Sequence, residues 1–331
     1  MDYRRLGSTG IKVSPLCLGT MTFGDGADRA ASAKIYSAAR DVGINFIDCA
    51  NVYAGGGSEE ILGQLIKAHR EQVVINSKAY YPVNKYSGGG EPSWGQGLSR
   101  THLTQALDDS LKRLKTDYID VYYMHHFDED CPLEESLGAL NDFVHAGKIR
   151  YIGLSNFAAW QYMKAIGITK QYGYAPISCI QPMYSLLKRQ CESEILPMAK
   201  SEGLGVFPYS PLGGGVLTGK YLEKNKEKDN PEARLNKSAM YQKRYSGQSH
   251  AGLAKEFTDY AKSINLNPIS LAIAWVLSNP AITAPIIGGR NAQQLKPSFE
   301  ALNITISAKM HEKLCQMSIT PQIATDRSEE A

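Results

Sequence analysis

Asp48 closes the apolar run NFIDC, and Tyr53 follows it just ahead of a glycine triplet, Gly55 to Gly57, and an acidic helix start. A carboxylate and a phenol on the rim of a strand are poor choices for a core and useful ones for proton chemistry. Two further strand-like runs end in the same way, QVVINSK on Lys78 and YIDVYYMHH on His125 and His126. If consecutive parallel strands carry Asp48 and Lys78, they lie about 4.8 Å apart and the two side chains can pair. An ammonium beside a phenol favours the phenolate and lowers the phenol's pKa. The expected arrangement is Asp48 holding Lys78, Lys78 tuning Tyr53, and Tyr53 giving a proton. Taken alone, the Asp48 to Lys78 pair fits a salt bridge that merely ties two strands. Tyr53 in the loop above it tips the reading toward chemistry. Neighbouring residues of a strand face opposite ways, so only one of His125 and His126 can enter a common site. That argues against a two-histidine metal centre, no H-E-x-x-H occurs, and the run Asp128, Glu129, Asp130 reads as a solvated loop. No metal is expected, and a neutral His125 is left to donate a hydrogen bond to a substrate oxygen.

A second set of residues suits an anion. Glycines gather in YSPLGGGVLTGKY and PIIGGRNAQQL, where Lys220 and Arg290 are at hand. Backbone N–H groups of such loops and a helix N-terminus are natural phosphate donors, and Tyr209 is free to stack on a flat ring. The stretch Gly214-x-x-x-x-Gly219-Lys220 nearly spells a P-loop, but Tyr221 stands where a magnesium-binding Ser or Thr belongs, so an NTPase is rejected. Turn glycines without a ligand explain either loop alone, and both together less easily.

These groups need a scaffold that brings strand ends together. After a small N-terminal hairpin, YRRLGSTGIKVS, the chain shows eight apolar strand-like runs: LCLGT, NFIDC, QVVINSK, YIDVYYMHH, KIRYIGLS, PISCIQ, LGVFPYS and TAPIIGG. Helical patterns with apolar residues at three- and four-residue spacing separate them, such as SEEILGQLIKAH and SRTHLTQALDDSLKRLKT. Runs too apolar to be half-exposed argue for an all-parallel sheet covered by helices, and eight such units close a (β/α)8 TIM barrel. Its active sites form where strands end, which is where Asp48, Lys78 and His125 fall. A doubly wound dinucleotide fold is the rival, but no G-x-G-x-x-G follows the first strand. One domain over residues 1–320 is expected, with a flexible tail at 321–331. Two loops exceed what a connection needs: Tyr80 to Gly97 after the third strand, with Tyr81 and Trp94 in it, and a lysine-rich segment after the seventh. Both are lid candidates, and disordered insertion is an equal reading of the second.

Composition narrows the class. The 331 residues suffice for a full core, and a formal net charge of +3 without a basic stripe sets nucleic acid aside. The start MDYRRLGSTG does not read as a secretory signal, and no apolar stretch spans a bilayer; ISLAIAWVL from Ile269 ends at Ser278. A cytoplasmic protein without membrane association is expected. The six cysteines are scattered with no C-x-x-C pair, which fits reduced, mostly buried thiols. Nothing in the sequence specifies an oligomer.

Over nearly its whole length the chain resembles the aldo-keto reductase family. NFIDCANVYAGGGSEEILG is similar to the family signature around its aspartate and tyrosine, VVINSK to the strand of its lysine, and TDYIDVYYMHH to that of its histidine. The resemblance implies that Asp48, Tyr53, Lys78 and His125 form a catalytic tetrad. IGLSNF and CIQPMY resemble the nicotinamide carboxamide site, implying Ser155, Asn156 and Gln181. Contacts from Gly19, Thr20, Met21 and Asp48 are implied beside it. YSPLGGGVLTGKY is similar to the cofactor phosphate segment and implies Tyr209, Ser210, Pro211, Leu212, Gly214 and Lys220; IIGGRNAQQL implies Gly288, Arg290 and Gln294. Three positions depart from the family's usual pattern: His126 where a tryptophan is frequent, Ser298 where an asparagine is common, and Cys49 in place of a threonine. The implied activity is NADP(H)-dependent reduction of a small aldehyde or ketone, with Tyr53 as general acid. Two other readings remain beside it: a cofactor-binding, redox-sensing partner subunit with little turnover, and a Schiff-base lyase with Lys78 as nucleophile.

Overall fold

The computed structural model describes residues 1–83, 95–222, 230 and 233–325. Trp94, part of both long loops and the end of the tail fall outside the described residues. A two-stranded antiparallel hairpin, β1 (Arg4–Arg5) with β2 (Lys12–Val13), precedes the main sheet. That sheet has eight parallel strands. In chain order they are β3 (Cys17–Gly19), β4 (Phe46–Asp48), β5 (Val74–Ala79), β6 (Ile119–Met124), β7 (Ile149–Ser155), β8 (Ile177–Gln181), β9 (Gly205–Val206) and β10 (Ile286–Ile287).

From β3 to β9 each strand pairs with the next, and β10 pairs with β3. The last seam is closed by hydrogen bonds around β9: the Thr283 and Ala284 N–H groups donate to the Val206 carbonyl at 2.9 and 3.3 Å, and Ile286 donates to Pro208 at 2.9 Å. The fold is therefore the (β/α)8 TIM barrel that eight apolar runs imply. The strands lie where the apolar runs are, most of them shorter than the run, while β5 extends past QVVINSK to Ala79.

Two-residue alternation along the strands builds two separate apolar layers. Phe46, Val74, Val121, Tyr123 and Phe207 point inward and fill the barrel, where Phe46 and Phe207 meet edge to face at 4.6 Å. Leu6 and Val13 of the hairpin join this inner cluster and plug the barrel floor. Ile47, Ile75, Tyr122, Met124 and Ile180 point outward into the layer under the helices. The same alternation carries Asp48, Lys78 and Gln181 inward at the opposite end of the barrel, one step beyond the apolar fill.

Helix ends obey ordinary capping chemistry. Asp28 accepts a hydrogen bond from the Ala31 N–H at 2.7 Å and starts the helix Arg29–Asp41; Ser99 does the same for Arg100–Leu114 through the His102 N–H at 3.2 Å. The polar segment after β9 falls partly outside the described residues. Its described part forms the helices Arg234–Lys237, Ala239–Tyr245 and Gln248–Ser263, with Tyr241 and Tyr245 buried. The MYQKRY stretch places those two aromatics one helical turn apart, so a single face anchors the helix. At the other end of the chain, the Gln322 carbonyl accepts a hydrogen bond from the Ser193 hydroxyl at 2.6 Å.

Candidate active site

The C-terminal ends of the strands enclose a cavity of about 700 Å³. At its base, the Lys78 ammonium lies 2.8 Å from Asp48 Oδ1 and 2.9 Å from Oδ2, with side-chain exposures of 0% and 3%. It also donates to the Cys49 carbonyl at 2.6 Å and to the Tyr53 hydroxyl at 3.2 Å. All three of its protons are thus directed at oxygen. Asp48 is held further by Asn76 Nδ2 at 2.9 Å and Gln181 Nε2 at 2.8 Å. Asn76 is the direct neighbour of Asp48 in the β4 to β5 register, which puts Lys78 two residues further along and level with the loop that carries Tyr53.

Burial works against the Lys78 charge, but Asp48 and then Tyr53 override it and hold its pKa above the ordinary lysine value. For Tyr53 the expected lowering is reversed. Burial pushes the phenol up to about 12, and Lys78 only partly offsets it, because Asp48 behind the lysine acts in the opposite sense. Tyr53 therefore keeps its proton at neutral pH. His125 stands across the mouth, its ring centroid 6.1 Å from that of Tyr53. Burial, the Lys78 charge and His126 hold its pKa well below the ordinary value, so the ring is neutral. Its Nδ1 is buried with no hydrogen-bond partner among the described residues. His126 lies, like His125, beyond the end of β6; it is exposed and does not line the cavity.

The amide-bearing residues form one connected chain. Ser155 Oγ donates to the Gln181 carbonyl at 2.9 Å, Asn156 Nδ2 donates to the His125 carbonyl at 2.9 Å, and the Tyr209 hydroxyl donates to Asn156 Oδ1 at 2.7 Å. Asn156 adopts a left-handed backbone with φ of 59°, and Ser210 does likewise at 57°, both at the cavity wall. Gly19, Met21, Pro211, Leu212 and Gly214 line the same cavity, as do Lys220, Gly288, Arg290 and Gln294. The Gln294 carbonyl Oε1 accepts from the Arg290 N–H at 2.9 Å and shapes the turn after β10.

Thr20 is the exception. It is fully buried and does not line the cavity; its hydroxyl donates to the Asp48 carbonyl at 3.0 Å and accepts from Ser58 at 2.8 Å. Gly19 faces the cavity, so the next residue faces the helix layer. Ser298, by contrast, does line the cavity and is 2% exposed.

Sequence reasoning missed the helix Ala239–Tyr245, which brings Met240, Tyr241 and Arg244 to the cavity wall. Tyr81 also lines it, its ring 5.2 Å from His125 in an edge-to-face arrangement. The repeated spacing of aromatics and cations in MYQKRY was the available signal. Among the described residues no group of three or more His, Cys, Asp or Glu is placed to hold a metal ion, and no helix is long and apolar enough to cross a membrane.

A neutral histidine and a lysine-backed tyrosine facing one cavity are equipped to polarise a carbonyl and protonate its oxygen. The chain belongs to the aldo/keto reductase family, whose sequence model matches residues 15–319. It is 39% identical to the uncharacterized oxidoreductase YrpG of Bacillus subtilis, over 94% of each chain. It is 35% identical to a probable voltage-gated potassium channel subunit beta of Oryza sativa subsp. japonica, over 92% of each. With the norsolorinic acid reductase of Aspergillus flavus it shares 32%, over 93% of this chain and 79% of that one. Family and relatives together make it an oxidoreductase of the carbonyl-reducing kind.

Proposed function

We propose that the protein is an NADP(H)-dependent reductase of aldehydes or ketones, one catalytic domain over residues 1–320, with Tyr53 as the general acid. The observation that carries this reading is the Lys78 ammonium, which joins Asp48 to the Tyr53 hydroxyl at the base of the cavity. The residues present fit a nicotinamide dinucleotide. Ser155, Asn156 and Gln181 supply the mixed donors and acceptors that a carboxamide requires, Tyr209 offers an aromatic face beside them, and Lys220 and Arg290 supply cations for phosphates. Arg290 and Lys220, as cations available to a 2'-phosphate, support NADP over NAD. When bound, the cofactor supplies the hydride.

His125 orients the carbonyl oxygen through its neutral ring, and Tyr53 gives that oxygen its proton. Burial keeps the proton on Tyr53 until it is needed; Lys78 then stabilises the phenolate left behind. Asp48, anchored by Asn76 and Gln181, fixes the lysine in place. Solvent returns the proton to Tyr53 at the end of the cycle.

The Schiff-base alternative is disfavoured by the same geometry. Lys78 is fully buried and charged, with every proton engaged, and is no nucleophile. The rice relative named as a potassium channel subunit supports a second reading, a cofactor-binding partner subunit with slow turnover. The test is aldehyde-dependent NADPH consumption by wild type and Tyr53→Phe, alongside fluorescence titration with NADPH and NADH. Expected are preferential NADPH binding, turnover by wild type, and a loss of about 10²- to 10⁴-fold in kcat for Tyr53→Phe with NADPH affinity retained. NADPH binding without turnover of any carbonyl would favour the partner-subunit reading.

A further inference from the structure

The cavity wall carries a cation that hydride transfer does not need. Arg244, on the helix Ala239–Tyr245, lines the cavity together with Tyr53, Tyr81 and His125. Among the described residues its guanidinium has no carboxylate, carbonyl or hydroxyl partner and stacks on no ring. The remaining charges of the wall are matched. Asp48 pairs with Lys78 at 2.8 Å, Asp25 with Lys237 at 3.7 Å, and Arg234 lies 5.2 Å over the Tyr241 ring. Lys220 and Arg290 sit on the glycine loops assigned above to cofactor phosphates. Among the described residues no acid of the wall is left to answer Arg244.

The helix that carries it packs on the cavity wall, with the Tyr241 hydroxyl 4.0 Å from Met21 Sδ. The Arg244 charge acts on both Tyr81 and Tyr209, in each case against the burial that raises the phenol's pKa, so the guanidinium lies within electrostatic reach of the two rings. Tyr81 packs edge to face on His125, and His125 faces Tyr53. A planar, permanently charged group with several N–H donors recognises a carboxylate best, in a bidentate fork. A half-buried guanidinium with no protein partner, beside a site that accepts a carbonyl, calls for a ligand that brings the anion with it.

We propose that Arg244 is a specificity-determining residue that binds a carboxylate on the substrate, so that the preferred substrates are carbonyl compounds carrying a negative group remote from the reacting carbon. This inference rests on the carbonyl-reduction reading above. It makes the helix Ala239–Tyr245 a substrate-reading element as well as a cavity wall.

The test uses 4-carboxybenzaldehyde and methyl 4-formylbenzoate, which present the same aldehyde with and without charge. Wild type is expected to favour the acid by about 10- to 100-fold in kcat/KM, the worth of one charged hydrogen-bonded pair, expressed mainly in KM. In Arg244→Gln that ratio falls toward one, in Arg244→Lys part of it returns, and the NADPH dissociation constant is unchanged in both. A ratio near one in wild type, or the same ratio in Arg244→Gln, overturns the inference. So does an equal loss for acid and ester accompanied by weaker NADPH binding, which would assign Arg244 to the cofactor. A parallel fluorescence titration with 4-carboxybenzaldehyde separates the two levels. If neither aldehyde is reduced but binding of the acid alone depends on Arg244, the carboxylate site stands and carbonyl reduction falls.

Discussion

The two ends of the active-site cavity are built on different principles. At the Asp48 end, the functional groups sit on strands, inside the barrel, and each is held by several others: Asp48 accepts from Lys78, Asn76 and Gln181, and Lys78 reaches Asp48, Cys49 and Tyr53. At the end formed after β9 and β10, the wall consists of loops and short helices, with glycines at positive φ from Gly213 to Gly215 and half-exposed cations. The first end must hold a proton donor to within fractions of an ångström; the second must let a long molecule enter and leave. Rigidity is placed where chemistry happens, and backbone permissiveness where binding happens.

The largest effect should come from cutting the rigid end. Lys78→Met leaves Asp48 buried without its cation, a change expected to cost about 3–5 kcal/mol in urea unfolding and to abolish carbonyl reduction. The double variant Asp48→Asn with Lys78→Met removes both charges and should recover most of that stability and none of the activity. If Lys78→Met were as stable as wild type, the pair would not be the anchor of this end.

The difference between the two ends also governs what was legible in the sequence. Strand alternation is a rigid rule, so NFIDC, QVVINSK and YIDVYYMHH, read as inward-facing strand ends, were enough to bring Asp48, Lys78 and His125 together. The same rule, applied to Thr20, would have turned it away from the cavity; family likeness carried it in instead. The sign of the Tyr53 shift was not legible, because it depends on how deeply the phenol is buried and on Asp48 standing behind the lysine. Nor was Arg244: the spacing of aromatics and cations in MYQKRY suggests a one-sided helix, but not that Tyr241 and Tyr245 will be drawn into the core and pull it over the mouth.

An intermediate effect is expected at the permissive end. Gly214 has φ of 66°, and a Cβ there would lie 2.8 Å from Tyr241 Cδ1 and 3.2 Å from Tyr245 Cδ2. Gly214→Ala therefore adds backbone strain of about 1–2 kcal/mol and pushes on the helix that carries Arg244. The unfolding midpoint should drop modestly, while NADPH affinity and the acid-to-ester preference both decline. A variant as destabilised as Lys78→Met would show that the loop end is as tightly built as the barrel end.

The smallest effect tests how firmly the rigid end excludes charge. In the unfolded chain His125 titrates near an ordinary value of about 6.5. In the fold, burial, the Lys78 ammonium and His126 hold it well below that. Between the two values the unfolded chain binds a proton that the folded chain does not, so stability is fully present above about pH 6.5 and declines as the pH falls below it, by at most about 1.4 kcal/mol per pH unit. His102 and His250, whose values burial also lowers, add slope of their own. The share of His125 is thus the difference between wild type and His125→Gln in urea unfolding from pH 7.5 to 5.5, with the variant showing the shallower decline. Identical slopes would mean that His125 accepts a proton in the folded chain, and that the mouth of the barrel is more open to charge than its base.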